Sequence, residues 1–197
     1  TADGANGLVA GLSMITSLAL AQISPADIQG FLYSLAVGCA LFLMYNLSTG
    51  RFFLGDGGAY FLGALMGLSI IVVSNSTDVS VWYLLALIFY PVADLLVSMT
   101  RRIAAGRSPF VPDNNHLHNL IYVYLNRSQT YAVQANTLTG LSLTIAFCAI
   151  PFGAFQVWGA SESSLVWLYI FAVMWLVYGL LWICLSRHLC ALPENSS

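Results

Sequence analysis

The feature that most constrains this chain is a succession of long apolar segments separated by short polar ones. A helix needs about 20 apolar residues to cross the hydrocarbon core of a bilayer. One such segment is compatible with a buried helix in a soluble protein, but six in succession are not. We therefore predict an all-α, polytopic membrane protein, with residues 1–197 forming a single membrane domain. The six predicted transmembrane helices lie at residues 7–23, 30–47, 58–74, 80–98, 136–157 and 163–185.

The composition supports a membrane protein and argues against several soluble classes. Charged residues make up 7% of the chain, hydrophobic residues make up 59%, and the mean hydropathy is +0.81. Soluble domains carry about 25% charged residues. The formal net charge of −2 argues against a nucleic-acid partner, which requires a basic surface. The four cysteines form no CxxC or Cys/His cluster, so neither a disulfide framework nor a zinc site is predicted.

The distribution of arginine predicts the orientation of the helices. All six basic residues are arginines, and they fall in three polar segments: residues 48–57, residues 99–135 and the tail from residue 186. Six alternating crossings would place these three segments on one side, which the positive-inside rule identifies as cytoplasmic. Both termini would then be cytoplasmic, as would the long loop at residues 99–135. The opposite loops carry only the acidic residues Asp27, Asp78 and Glu162.

The first polar cluster is the segment TADGANG at residues 1–7, which precedes the first apolar segment. Asp-Gly and Asn-Gly pairs are typical of turns, and Asp or Asn can cap a following helix. The segment also lacks a basic stretch of the kind that begins a secretory signal. We interpret the sequence as the C-terminal fragment of a longer protein, because it opens inside a polar loop.

The second polar cluster is RFFLGDGG at residues 51–58, directly before the third apolar segment. Glycines flank Asp56 and allow the backbone to approach a ligand closely. A carboxylate at the membrane boundary is unfavourable unless it is paired or binds a cation. Mg²⁺ prefers oxygen ligands and keeps several waters, so Asp56 is a candidate metal ligand. A simple interfacial turn remains the alternative.

The third polar cluster runs from Gly106 to Asn119 with the sequence GRSPFVPDNNHLHN. Pro112 and Asp113 predict the start of a short amphipathic helix that lies in the membrane interface. The N-terminus of a helix attracts anions, and Arg107 and His116 lie nearby in the sequence. The alternative is a basic loop that binds anionic lipid head groups, although that does not explain the paired histidines. Zinc is not expected, because two histidines at i and i+2 with no cysteine nearby make a poor tetrahedral site.

Asp94 is a further candidate, since it lies within the fourth apolar segment. An ionisable residue inside a membrane helix is a functional candidate by default. The structural alternatives are an ion pair with Arg101 or Arg102, or extension of the side chain toward water. Pro91, three residues earlier, removes a backbone hydrogen bond and predicts a kink.

In this order and spacing, the four motifs resemble those of the polyprenyl-phosphate N-acetylhexosamine-1-phosphate transferases, which belong to glycosyltransferase family 4. The family motifs correspond here to DGANGL at residues 3–8, FLGDGG at 53–58, Pro91 with Asp94, and GRSPFVPDNNHLH at 106–118. The His-x-His form is more similar to the N-acetylglucosamine branch than to the peptidoglycan branch, whose histidines are consecutive.

The resemblance implies a reaction and a set of roles. N-acetylhexosamine 1-phosphate would pass from a UDP-sugar to undecaprenyl phosphate, releasing UMP and initiating a lipid-linked cell-surface glycan such as lipopolysaccharide, in the bacterial inner membrane. Mg²⁺ or Mn²⁺ would be the cofactor, with Asp56 as its ligand. His116 and His118 would act with Asp56 at the reacting groups, and a homodimer is left open. The implied substrate contacts are Asp3, Gly4, Asn6, Phe53, Asp94 and Arg107.

The sequence also departs from the family pattern. Asn119 stands where a further histidine is usual, and Ala59 stands where serine is frequent. The paired aspartates of the family lie upstream of the first motif, so this chain alone is expected to be inactive. A transporter fragment is one alternative, although transporters place polar groups at the bilayer midplane and usually show repeats. A non-catalytic remnant is the other.

Overall fold

The computed structural model describes residues 4–50, 52–111, 114–128, 132–159 and 164–190, and these residues are built from helices and connecting loops without a strand. The helices are α1 (Leu8–Ile23), α2 (Ala26–Thr49), α3 (Gly55–Ser76), α4 (Val81–Leu87), α5 (Phe89–Ala104), α6 (Leu117–Ser128), α7 (Ala132–Thr144), α8 (Ile150–Trp158) and α9 (Ser164–Cys190), with a π-helical segment (Ile145–Ala149) between α7 and α8. The all-α prediction is confirmed.

Each of the six predicted apolar segments is helical over most of its described residues, but the segments differ in length and straightness. Four helices are long and apolar enough to cross a membrane: α2, α3, the continuous stretch Ala132–Trp158, and α9. The α4–α5 pair would be a fifth span, bent by 77°. Helix α1 has 16 residues and is about 24 Å long, which is short of a hydrocarbon core of about 30 Å. The chain is thus a multi-pass membrane protein, while a count of six crossings stays a prediction.

Helix α1 occupies the centre of the bundle despite its shortness. Its buried side includes small and hydroxyl-bearing residues such as Gly11, Ser13 and Ser17, which let neighbouring helices approach closely. The surrounding helices turn large apolar side chains outward, for example Leu41 on α2, Leu68 on α3 and Leu176 on α9. In water such a surface would be unfavourable, whereas lipid tails match it.

The bend between α4 and α5 falls at Ile88, three residues before the proline that predicted it. Pro91 has no N–H group to donate to the carbonyl of Leu87, its partner four residues earlier. That carbonyl instead accepts a hydrogen bond from the Thr16 hydroxyl of α1 at 3.1 Å, and the Cys148 thiol approaches it at 3.7 Å. Two neighbouring helices therefore provide donors for the Leu87 carbonyl, which has lost its usual partner because of the proline. Buried backbone groups of a membrane protein need such partners.

The polar motifs converge on one end of the bundle, which we call the polar end. It is formed by the starts of α1, α3 and α7, the ends of α2, α5 and α9, and helix α6. The Asn6 side chain at the start of α1 donates to Thr137 of α7 at 3.2 Å, and the rings of Tyr124 on α6 and His188 on α9 lie 5.6 Å apart. Short loops and a separate aromatic core around Tyr83 and Trp167 form the opposite end.

Candidate functional site

The carboxylate of Asp94 is the centre of the site. It is buried within α5, and each of its oxygens accepts a hydrogen bond from a different part of the chain. Oδ1 accepts from the Tyr178 hydroxyl of α9 at 2.7 Å and from the backbone N–H of Leu117 at 3.0 Å. Oδ2 lies 2.8 Å from Nδ1 of His116. One side chain therefore links α5, α9 and the beginning of α6.

The link to Leu117 explains where α6 begins. The sequence predicted a helix start at Pro112 and Asp113, which lie outside the described residues, but residues 114–116 are not helical and α6 starts at Leu117. The first N–H groups of a helix have no partner within it, and a carboxylate there also interacts favourably with the helix dipole. Asp94 accepts such a bond although it lies 23 residues earlier in the sequence. It therefore caps α6, and the sequence of the loop alone could not predict this cap.

His118 lies close to the same carboxylate but farther from it than His116. Its Nδ1 lies 3.1 Å from the Tyr90 hydroxyl and 3.8 Å from Oδ2 of Asp94, and its ring stacks on that of His116 with 5.5 Å between centroids. Burial lowers the pKa of His118 to about 4, with the Asp94 carboxylate opposing that shift and His116 adding to it. Near pH 7 His118 is therefore neutral.

The paired arginines hold the loop that carries the histidines. Arg102 donates to the carbonyl of Pro109 and, at 2.9 Å, to the hydroxyl of Ser98. The guanidinium of Arg101 lies over the Trp182 ring at 5.7 Å. The indole N–H of Trp182 donates to the carbonyl of Asn115 at 3.1 Å. The arginines thus support the loop in addition to supplying positive charge at the polar end.

The N-terminal motif contacts this cluster through Gly4. A Cβ added to Gly4 would lie 3.4 Å from Nε2 of His118, so the backbone passes directly beside that ring. Asn6 is buried and bonded to α7, since it donates to Thr137 at 3.2 Å and accepts from Asn136 at 3.4 Å. Asp3 lies outside the described residues.

The remaining predicted residues are exposed on loops and helix starts of the polar end. Asp56 lies in the first turn of α3, and Phe53 lies just before it with 46% of its side chain exposed. Asn46 supports this segment by donating to the carbonyl of Phe52. Arg107 is exposed in the loop between α5 and α6. The structure therefore brings Asp94, His116, His118 and Gly4 together and presents Asp56, Phe53 and Arg107 to the surroundings.

The described residues do not form a protein-only metal cage. They contain no group of three or more His, Cys, Asp or Glu side chains arranged to hold an ion. Both oxygens of Asp94 already accept bonds from protein donors. The exposed carboxylate of Asp56 fits a different mode, because Mg²⁺ commonly binds one or two carboxylates and completes its shell with waters and substrate phosphates.

Two tyrosines in the site were not singled out from the sequence. Tyr90 lies four residues before Asp94, and the i, i+4 spacing that places both on one helix face was a usable signal. Tyr178 lies 84 residues after Asp94 in an apolar segment. A tyrosine in such a segment is typical of a packed core, so the neighbouring sequence does not distinguish Tyr178.

Comparison with known proteins finds one family profile and several curated phosphotransferases to which this chain is similar. The profile of "Glycosyl transferase family 4" matches residues 1–74. The undecaprenyl-phosphate alpha-N-acetylglucosaminyl 1-phosphate transferase of Escherichia coli O157:H7 is 31% identical over 202 residues, covering 94% of this chain and 50% of that protein. The decaprenyl-phosphate N-acetylglucosaminephosphotransferase of Mycobacterium tuberculosis (strain H37Rv) is 30% identical over 142 residues, covering 59% of this chain and 35% of that protein.

A third relative is also similar over most of this chain. The probable undecaprenyl-phosphate N-acetylglucosaminyl 1-phosphate transferase of Bacillus subtilis is 26% identical over 181 residues, covering 89% of this chain and 47% of that protein. No solved structure matches the chain. The chain spans between about a third and a half of the length of these relatives, given the 35% to 50% of each that is covered.

Proposed function

The chain belongs to glycosyl transferase family 4, and on that premise we propose that it contributes the histidine loop and the metal-binding carboxylate of a polyprenyl-phosphate N-acetylhexosamine-1-phosphate transferase. The proposed donor is a UDP-N-acetylhexosamine, and the proposed acceptor is undecaprenyl phosphate. The product would initiate a lipid-linked cell-surface glycan.

The proposed reaction is a phosphoryl transfer between two anions. An oxygen of the acceptor phosphate forms a bond to the β-phosphorus of the donor, and the bond from that phosphorus to the oxygen bridging the α-phosphate breaks. UMP leaves with the electron pair, and the lipid retains the sugar on a new diphosphate. The main task of the protein is to orient the two phosphates and offset their charge.

The observation that carries the proposal is the built histidine loop at one end of a membrane bundle. His116 and His118 are stacked on each other and anchored to Asp94 and Tyr90. Because the bond to Asp94 uses Nδ1 of His116, a contact of this ring with a ligand would be made through Nε2. A purely structural segment has no evident need for two oriented imidazoles at the end of a loop that also carries the exposed Arg107.

The proposed metal site uses Asp56 together with the donor. Mg²⁺ (or Mn²⁺) bound there would lower the charge of the donor diphosphate. Phe53, three residues earlier and exposed, would pack against the base, as the family resemblance suggests. Gly4 gives a close backbone approach beside His118. These assignments extend to Asp3, whose role would be contact with the nucleoside.

We place the site on the cytoplasmic side of the bacterial inner membrane. The five arginines that the structure describes belong to segments near the polar end, in agreement with the positive-inside rule. The acceptor enters from the bilayer and the donor from the cytoplasm, so a site at a membrane interface is reachable by both.

The test follows labelled lipid product and UMP release by the natural full-length chain in membranes supplied with a UDP-N-acetylhexosamine, undecaprenyl phosphate and Mg²⁺. Asp56→Asn is compared with Asp27→Asn. Both aspartates lie in the first turn of a helix, but Asp27 begins α2 at the opposite end of the bundle. We expect Asp56→Asn to lower the rate at least about a hundredfold, as loss of a metal or charge-stabilising contact typically does.

Asp27→Asn is the matched control for Asp56→Asn. Asp27→Asn should retain wild-type activity, since it changes the same helix position without approaching the site. Equal activity of the two variants would remove Asp56 from the metal site. Absence of product from the wild type with every UDP-N-acetylhexosamine tried would favour the non-catalytic remnant over the enzyme.

A further inference from the structure

Tyr178 is a buried phenol whose only described polar contact is with the site. It lies in α9, which is otherwise apolar along most of its length, and 1% of its surface is exposed. Its hydroxyl donates to Oδ1 of Asp94 at 2.7 Å. A phenylalanine would serve equally well as packing material, so the hydroxyl needs a separate explanation.

The hydroxyl restricts the rotation of the Asp94 carboxylate. Because the two oxygens of a carboxylate lie in one rigid plane, fixing the position of Oδ1 also fixes the direction of Oδ2. Oδ1 receives one bond from α9, through Tyr178, and one from α6, through the N–H of Leu117. Oδ2 then points at Nδ1 of His116, 2.8 Å away.

A second contact from α9 holds the other side of His116. Trp182 lies four residues after Tyr178, so the two side chains project from the same face of the helix. Its indole N–H donates at 3.1 Å to the carbonyl of Asn115, the residue directly before His116. Helix α9 thus supports His116 twice: through the backbone that precedes it, and through the carboxylate that its ring contacts.

We infer that Tyr178 is a positioning residue for His116, acting through Asp94, and that α9 sets the geometry of the histidine loop. The expected effect on catalysis rests on the proposed function, whereas the positioning of His116 by Tyr178 does not. A carboxylate can only accept, so Nδ1 of His116 carries the proton in this bond. In the neutral form of the ring this leaves Nε2 without a proton, so that Nε2 could act as a base or acceptor toward a ligand.

The test uses Tyr178→Phe in the natural full-length chain, reconstituted in phospholipid nanodiscs. Tyr169→Phe is the matched control, because it removes the same hydroxyl from the same helix at a position that is 69% exposed. The first readout is ¹⁵N NMR of labelled histidine at neutral pH, which reports the tautomer of His116. The second is kcat and KM for a UDP-N-acetylhexosamine.

We expect the neutral form of His116 to carry its proton on Nδ1 in wild type and in Tyr169→Phe, and to be a mixture of the two tautomers in Tyr178→Phe. We expect kcat of Tyr178→Phe to fall at least about tenfold with KM within about twofold, since misplaced catalytic groups lower the rate more than binding. An unchanged His116 tautomer in Tyr178→Phe overturns the inference, even if activity falls.

The two readouts separate this inference from the proposed function. If the wild type makes no product while the tautomer changes as expected, the positioning role stands and the proposed reaction fails. If product forms and Tyr178→Phe matches Tyr169→Phe in both tautomer and kcat, the reaction stands and the positioning role fails.

Discussion

His118 illustrates how burial sets the charge of a single group in this site. The ring is surrounded by Tyr90, His116 and the backbone at Gly4, and the Asp94 carboxylate lies 3.8 Å from its Nδ1. Desolvation outweighs the attraction to that carboxylate, so the pKa falls from 6.5 to about 4. Folding thus holds His118 in a form that the unfolded chain would protonate readily in mild acid.

This difference predicts an acid-dependent loss of stability. The folded pKa of about 4 lies below the ordinary value of 6.5. The contribution of His118 to the free energy of unfolding is therefore complete above pH 6.5, and it is lost as the pH falls toward 4. By linkage, the free energy of unfolding should decrease by about 2–3 kcal/mol between pH 7 and pH 4.5 from this group. Chemical unfolding in detergent micelles across that range measures the slope.

Substitution isolates the contribution of His118 from those of the carboxylates. His118→Gln should be less stable than wild type at pH 7 but should lose less stability on acidification. His188→Gln is the control, since it makes the same substitution at an exposed position near the end of α9. A wild-type slope retained in His118→Gln would show that another group titrates.

At the scale of elements, the approach of α1 to α7 depends on one glycine. The α7 residue Gly140 is buried beneath the backbone of the loop that leads into α1. A Cβ there would overlap the Asn6 carbonyl oxygen and lie 2.9 Å from its carbon and 3.2 Å from the Leu8 nitrogen. Close backbone contact at small residues is typical of membrane helix packing.

We therefore predict that Gly140→Ala destabilises the fold, by at least about 2 kcal/mol, as overpacking against backbone commonly does. Gly63→Ala in α3 is the matched control, because an added Cβ at Gly63 meets nothing within 4 Å. Alanine is the better helix former by about 1 kcal/mol, so Gly63→Ala should be neutral or stabilising. Opposite signs for the two substitutions, measured by thermal unfolding in detergent, would support the packing; equal effects would contradict it.

The helices were largely predictable, because apolar periodic segments leave few alternatives in a chain with so little charge. Their detailed ends were not. Pro91 predicted a kink, yet the break falls at Ile88, since a proline disturbs the turn that precedes it. The start of α6 depends on Asp94, a residue on another helix. Interactions between distant segments determine such boundaries, and a single sequence does not reveal them.

The site was predictable to the same limited extent. The motif at residues 106–118 identified His116 and His118, and the membrane position of Asp94 marked it as unusual. No pattern in the sequence indicated that they are in contact, because their contact depends on how α5 bends and where α6 begins. Tyr178, the donor from the last helix, belongs to the part of the site that only tertiary structure shows.

At the scale of the whole molecule, the bent α4–α5 pair decides the topology. A 77° bend is compatible with a broken span or with a re-entrant loop. The neighbouring helix α9 distinguishes them: Tyr83 of α4 packs on Trp167 near the start of α9, whereas Arg101 of α5 lies over Trp182 near its end. These α9 residues are about 22 Å apart along a helix, so the pair follows α9 across most of the bilayer.

We therefore predict that Asp78 and Arg107, which flank the pair, lie on opposite sides of the membrane. The test introduces Asp78→Cys or Arg107→Cys into a chain whose four native cysteines have been replaced, and labels intact cells with a membrane-impermeant maleimide. Asp78→Cys should react in intact cells, and Arg107→Cys should react only after permeabilisation. Asp27→Cys and Arg187→Cys provide the outer and inner references. Labelling of Asp78→Cys and Arg107→Cys from the same side would make α4–α5 a re-entrant loop, and the six arginines could then no longer share one face.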